Sequence, residues 1–116
     1  MSTPPTAYKV LTADQMAALE RDGTFAGAPV DLADGYIHLS TADQLAETVD
    51  RHFAGQHHLH VAAVDLGAFG ESLKWEESRG GQLFPHLYAP LTLETVVAYS
   101  PLERDAEGKV RLPVTG

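Results

Sequence analysis

Two strand-like runs in this chain end in the same helix-start chemistry. Residues 9–16 read Lys-Val-Leu-Thr-Ala-Asp-Gln-Met, and residues 38–45 read His-Leu-Ser-Thr-Ala-Asp-Gln-Leu. In each, a threonine is followed three positions later by a glutamine: Thr12 with Gln15, and Thr41 with Gln44. This is the capping-box pattern, in which the N-cap hydroxyl and the N3 amide satisfy orphan backbone donors reciprocally. It predicts a first helix over residues 13–22, apolar on Met16 and Leu19 and stopped by Gly23. A second is predicted over residues 42–53, apolar on Leu45, Val49 and Phe53 and stopped by Gly55. Two copies do not make a solenoid. They read as two strand–helix junctions built with one chemistry.

Downstream, the pattern turns to strands. Residues 59–66 are apolar and β-branched around Asp65, and residues 72–76 alternate Leu73 and Trp75 against Lys74 and Glu76. Gly80-Gly81 marks a turn or a mobile loop. Residues 83–88 form a short aromatic strand in which Pro85 implies an edge, a strand end or a bulge. Residues 92–95 suit one helical turn, 96–100 a last central strand, and 110–112 a peripheral strand in a charged tail. Helices early and strands late predict an α+β fold with a mixed or mainly antiparallel sheet, not a doubly wound parallel one. A chain of 116 residues closes around one core. The expected organisation is a loose arm at 1–6, a globular domain at 7–102 and a peripheral tail at 103–116. The arm has no charged n-region or apolar h-region. No stretch approaches the ~18 apolar residues of a membrane span. The expectation is a cytoplasmic protein with no membrane partner.

Composition limits the chemistry. The absence of cysteine excludes a disulfide framework, a thiolate nucleophile and a zinc ribbon. Sixteen acidic against eight basic side chains give a net charge of −8, which argues against nucleic acid as a partner. That charge is uneven. Residues 35–42, 51–64 and 78–93 contain no Asp or Glu, yet they hold all six histidines, with Arg51 and Arg79. If these windows converge in space, they form a neutral-to-positive pocket suited to a small anionic ligand.

Two histidines stand out. A period of two places Tyr36, His38 and Ser40 on one strand face, with Ile37 and Leu39 on the other, just before a helix start that favours anions. His86 lies between Phe84 and Tyr88 on a shared face, where flanking rings can stack on a flat ligand. Trp75 reads as core or as a ligand-stacking wall. Glu76 and Glu77 are the carboxylates adjacent to this region. His57-His58-Leu59-His60, with His52, invites a metal reading by its spacing, but no third ligand is evident on the strand face and no metal site is assigned. Neither a nucleophile elbow, a dinucleotide glycine motif nor a phosphate loop occurs.

The strings Asp34-Gly35-Tyr36-Ile37-His38-Leu39-Ser40-Thr41, Arg51-His52-Phe53-Ala54-Gly55-Gln56, Leu73-Lys74-Trp75-Glu76 and Phe84-Pro85-His86-Leu87-Tyr88 resemble the bacterial family called domain of unknown function 952. Tyr8-Lys9-Val10-Leu11 fits its first strand, and the resemblance runs over about residues 7–102. It implies a fold like that of ADP-ribosyltransferases, a curved, split sheet whose cleft binds NAD in active relatives. It implies no established activity. By position, Lys9 resembles the cation that holds the nucleotide, and His38 the second-motif residue. Glu76, Glu77 and Glu94 all depart from the late catalytic glutamate of many transferases, and His86 stands in that region instead. The histidines resemble the branch that moves an RNA 2′-phosphate onto NAD, which the −8 charge disfavours.

The first functional reading is therefore a cleft binding NAD or a related phosphorylated nucleotide, whether or not it catalyses. His38 and His86 are its acid/base candidates, and Lys9, Ser40, Thr41, Trp75 and Tyr88 its cofactor-binding candidates. A second is a non-catalytic module for a small metabolite or peptide using Trp75, Phe84 and Tyr88. A third is metal-dependent hydrolysis through His52, His57, His58 and His60.

Overall fold

The structure is a computed structural model that describes residues 5–113. Most of the expected N-terminal arm and the last three residues of the tail lie outside those residues. Thr6, expected in the arm, instead opens β1 (Thr6–Leu11), where it pairs with Asp65. The first capping box forms as predicted. The Gln15 N–H donates to Thr12 Oγ1 at 3.1 Å and the Thr12 N–H to Gln15 Oε1 at 3.0 Å, starting α1 (Ala13–Asp22) with Met16 and Leu19 buried. Gly23 ends it at φ 75°, its N–H donating to the Leu19 carbonyl.

Two short elements carry no strong period. One is β2 (Thr24–Phe25). The other is α2 (Pro29–Asp34), a helix absent from the expected elements. Its signals were present: Pro29 at the first helical turn and Gly35 in the left-handed cap at φ 88°. Six residues are too few to show a 3.6-residue period. At the second capping box the Thr41 N–H donates to Gln44 Oε1 at 3.0 Å. The chain there forms a 3-10 turn (Ala42–Gln44) that leads into α3 (Leu45–His52), shorter than the uninterrupted helix expected over 42–53.

The remaining strands are β3 (Ile37–His38), β4 (His60–Asp65), β5 (Leu73–Glu77), β6 (Leu83–Leu87), β7 (Leu91–Thr92) and β8 (Val96–Pro101). All ladders among the described residues are antiparallel. They form one sheet in the order β1-β4-β8, another in the order β3-β6-β5, and a small β2-β7 ribbon. Among the described residues the two larger sheets are joined by one isolated backbone bridge, in which Tyr8 N–H donates to the Ser40 carbonyl at 2.7 Å and Ser40 N–H returns a bond to the Tyr8 carbonyl at 2.9 Å. The fold is α+β and antiparallel, and its sheet is split at this bridge.

Two strand positions differ from expectation. Strand β8 is an edge, not a centre: β4 is buried on both faces and takes both partners, and the charged tail after Pro101 adds only the single bridge Arg104–Val110. Strand β6 is a centre, although Pro85 lies inside it. The Pro85 carbonyl accepts from Leu39 N–H at 3.1 Å, so its ring nitrogen faces the same side, past the end of two-residue β3. The reciprocal bond, to the Leu39 carbonyl, is the one a proline cannot make, so the ladder to β3 stops at His38 while the β5 side of β6 loses no donor.

The core lies on both sides of β1 and β4. Ala7, Leu11, Ala62 and Val64 pack with Met16, Leu19, Ile37, Leu39 and Leu87, with Trp75 against them. Val10 and Val61 pack on the opposite face with Leu45, Val49 and Leu59, covered by Phe53, Leu102 and Val110. Two-sided burial explains why residues 61–64 are continuously apolar. No helix among the described residues is long and apolar enough to cross a membrane.

Leu87 is fully buried on central β6. Leu87→Ala is expected to cost about 2–5 kcal/mol, whereas Thr12→Ala removes one cap bond and costs about 1 kcal/mol. Urea denaturation checks both, through a lowered midpoint at unchanged slope.

Candidate functional site

Where the sheets part beyond the Tyr8–Ser40 bridge, a cleft of about 270 Å³ opens against α2. All three acid-free windows reach it: Tyr36, His38 and Ser40 from the first, His52 and Phe53 from the second, Ser78, Phe84 and His86 from the third. The convergence expected from the charge pattern is present. The pocket is not acid-free, however, because carboxylates from outside the windows fold in against the histidines.

The first is Asp31, 1% exposed, on α2. Its Oδ2 accepts from Lys9 Nζ at 2.9 Å and from Ala28 N–H at 2.8 Å. Its Oδ1 accepts from the His38 N–H at 3.1 Å and lies 2.7 Å from His38 Nδ1. Burial pushes the Asp31 carboxyl up. The His38 hydrogen bond, the Lys9 charge and the two backbone donors outweigh it and hold the group well below the usual carboxylate range. Lys9 shares a strand face with buried Ala7 and Leu11, so its ammonium lies inside the core. Burial lowers its pKa, opposed by Asp31. Gly27 makes room for the arrangement, since a Cβ there would meet Asp31 Cβ at 2.8 Å, and its φ of 133° suits only glycine.

His38 is held from a second side as well. Its Nε2 lies 2.9 Å from Oδ2 of Asp34, the last residue of α2. Both ring nitrogens thus face carboxylate oxygens, which only accept. Both contacts are satisfied together by a ring carrying two N–H donors.

His86 differs. It pairs directly with His38 across β3 and β6, the two rings 5.6 Å apart and edge to face. Its Nδ1 lies 2.9 Å from Glu76 Oε1, which also accepts from the Tyr88 hydroxyl at 2.7 Å. These two hydrogen bonds, Tyr88 foremost, lower the Glu76 pKa, and the carboxylate pushes the Tyr88 phenol up to about 12. Tyr36 stacks on His86 at 4.1 Å and also meets His38 and Tyr88, at 4.6 and 5.2 Å. Burial, then the charges of Asp34 and Glu76, raise the Tyr36 pKa.

The other candidates are placed as follows. Ser40 lines the cleft, with its hydroxyl 2.8 Å from that of Thr48. Lys9 lines it with its charge already neutralised by Asp31. Tyr88 stands beside the stack, its hydroxyl spent on Glu76 and Lys74 Nζ 5.0 Å over its ring. Thr41 starts the 3-10 turn and does not line the cleft. Trp75 is not in the cleft either. It pairs with Pro85, so the period of two sets it on the core face while Lys74 and Glu76 take the His86 face. His57 and His58 are exposed outside the cleft, with His58 at φ 60° before β4 begins, so the strand spacing assumed for a metal site does not exist. Among the described residues, no three His, Asp or Glu side chains are placed to hold a metal ion.

Sequence reasoning missed Asp31 and Asp34. Their helix was missed, and with it the fact that positions three apart on α2 face one histidine.

A family described as "Protein of unknown function (DUF952)" matches residues 10–99. The chain belongs to the DUF952 family. Its fold is similar to the crystal structure of protein CC0527 from Caulobacter crescentus, a structural-genomics target, at 46% identity and a TM-score of 0.83, covering 92% of this chain and 94% of that one. The solution NMR structure of CC0527 is similar at 45% identity and a TM-score of 0.78, covering 91% of each chain. No curated protein matches this DUF952 member. The comparisons establish the family and its α+β fold without assigning an activity to it.

Asp31→Ala is expected to cost about 3–5 kcal/mol, because it strands the buried Lys9 charge. Since folding depresses the Asp31 pKa below its ordinary 3.8, the stabilisation is present above that value and is lost as pH falls below it. Unfolding midpoints measured from pH 6 down to about 2 are expected to fall more steeply in the wild type than in Asp31→Asn.

Proposed function

We propose that this cleft binds a small planar heterocyclic ligand of the nucleotide class, NAD or a related phosphorylated nucleotide, and that His86 moves a proton on it. The observation that carries the reading is the Glu76–His86 contact inside a stack of aromatic rings. Donating Nδ1–H to Glu76 fixes the tautomer and leaves Nε2 as the base, on a ring that lines the cleft. Tyr36 and Phe84 provide flat faces for a ring. At about 270 Å³ the cleft is near the low end of ligand pockets, about 300–1,000 Å³. It suits one nucleoside-sized part of such a ligand, with the remainder at the mouth.

If the bond broken is that between a pyridinium and its ribose, positive charge develops on the sugar. Glu76 is the half-exposed carboxylate that would stabilise it. The carboxylate that the linear sequence left unassigned is, in this reading, Glu76. A purely aromatic binding module is less well supported, because Trp75 packs into the core.

Titration of the full chain with NAD, ADP-ribose and nicotinamide, followed through the imidazole NMR signals, is expected to shift His86. No shift up to millimolar ligand would overturn the reading. If turnover accompanies binding, His86→Ala is expected to lower kcat by about 10²–10⁴, the usual worth of a general acid–base group, with KM changed far less.

A further inference from the structure

We propose that His38 is the cleft's anion-recognising cation, and that the Asp34 carboxylate holds the position a ligand oxyanion takes when it binds. This rests on the cleft being a ligand site, and it adds the chemistry of one end of that ligand.

The charges carry the argument. The Lys9 ammonium and the His38 ring share the single carboxylate of Asp31, which is 1% exposed. Asp31 balances only one positive charge, so a His38 ring that donates from both nitrogens presents the second at Nε2. Its partner there, Asp34, is of another kind. The Asp34 side chain is 46% exposed, whereas the His38 side chain is 32% exposed, and both residues line the cleft. An ion pair this open contributes little and exchanges readily. Asp34 is also the final residue of α2, followed by Gly35. Its carboxylate can leave by rotating about its side-chain bonds, with no helix bond broken. Asp31 cannot, because it also holds the Ala28 and His38 backbone N–H groups.

The opposite side of the stack sets the rest of the ligand. Glu76, bonded to His86 and Tyr88, places negative charge there, so a second anion is disfavoured at that end. The ligand class is thus a molecule with one carboxylate or phosphate oxyanion at His38 and a neutral or cationic ring against Tyr36 and His86. His38 recognises this anion and positions it; the proton transfer belongs to His86.

The test is imidazole NMR of the full chain titrated with inorganic phosphate at constant ionic strength. Saturable movement of the His38 signals is expected. Asp34→Ala should lower the half-saturating phosphate concentration about five-fold, the size of one half-exposed ion pair. Asp34→Asn, which keeps the side-chain shape, should lower it in the same direction. Glu94→Gln removes the same charge outside the cleft and should leave it unchanged. No His38 response to phosphate in any of these proteins overturns the inference, as does an equal gain in Asp34→Ala and Glu94→Gln. A His86 response to NAD in the same samples reports separately on the cleft as a ligand site. His86 movement without His38 movement rejects the anion assignment alone.

Discussion

The Asp31 carboxylate is the interaction on which the rest of this structure depends. It joins Lys9 on β1, the N-terminal turn of α2 and both the backbone and the ring of His38 on β3. These elements belong to different sheets and to the helix between them, so one side chain fixes how the halves of the split sheet meet. Burying a charge is costly unless it is paired and hydrogen-bonded. Asp31 meets that condition with the Lys9 ammonium, the His38 ring and two backbone donors. Gly27 is required because the carboxylate's own stem fills the space a larger residue would occupy.

The same cluster accounts for the unequal roles of the two histidines. They are cross-strand neighbours, but their partners differ in number. His38 faces a carboxylate from each ring nitrogen, whereas His86 is oriented from Nδ1 by Glu76. Neighbouring titratable groups in contrasting environments are how one site obtains an acid and a base. Tyr36 packs against both rings and completes the aromatic cluster.

Much of the fold could be read in advance wherever a local rule acted alone. Thr12 and Gln15 satisfy each other within one turn, so α1 appears where the capping box placed it. The Tyr36/His38/Ser40 face follows from strand period, and so does the opposite burial of Ile37 and Leu39. The acid-free windows likewise led to the cleft. Local rules were insufficient where a long-range partner decided the outcome. Pro85 reads as an edge signal, yet β3 ends just where the proline lacks its donor. Trp75 reads as core, with a ligand wall as the lesser alternative, until its pairing with Pro85 sets its face.

The sequence by itself determined the two capped helix starts, the two-faced strands, an α+β class with a mixed or mainly antiparallel sheet, and the concentration of histidines in segments without acids. All of these depend on residues within a few positions of one another. Tertiary structure alone decided that Lys9 would be an internal counter-ion, that Asp31 and Asp34 would hold His38, and that Glu76 would orient His86. The physical reason is that a charge's role depends on what lies within a few ångströms of it. Lys9 and Asp31 are 22 positions apart in the chain but 2.9 Å apart in the fold.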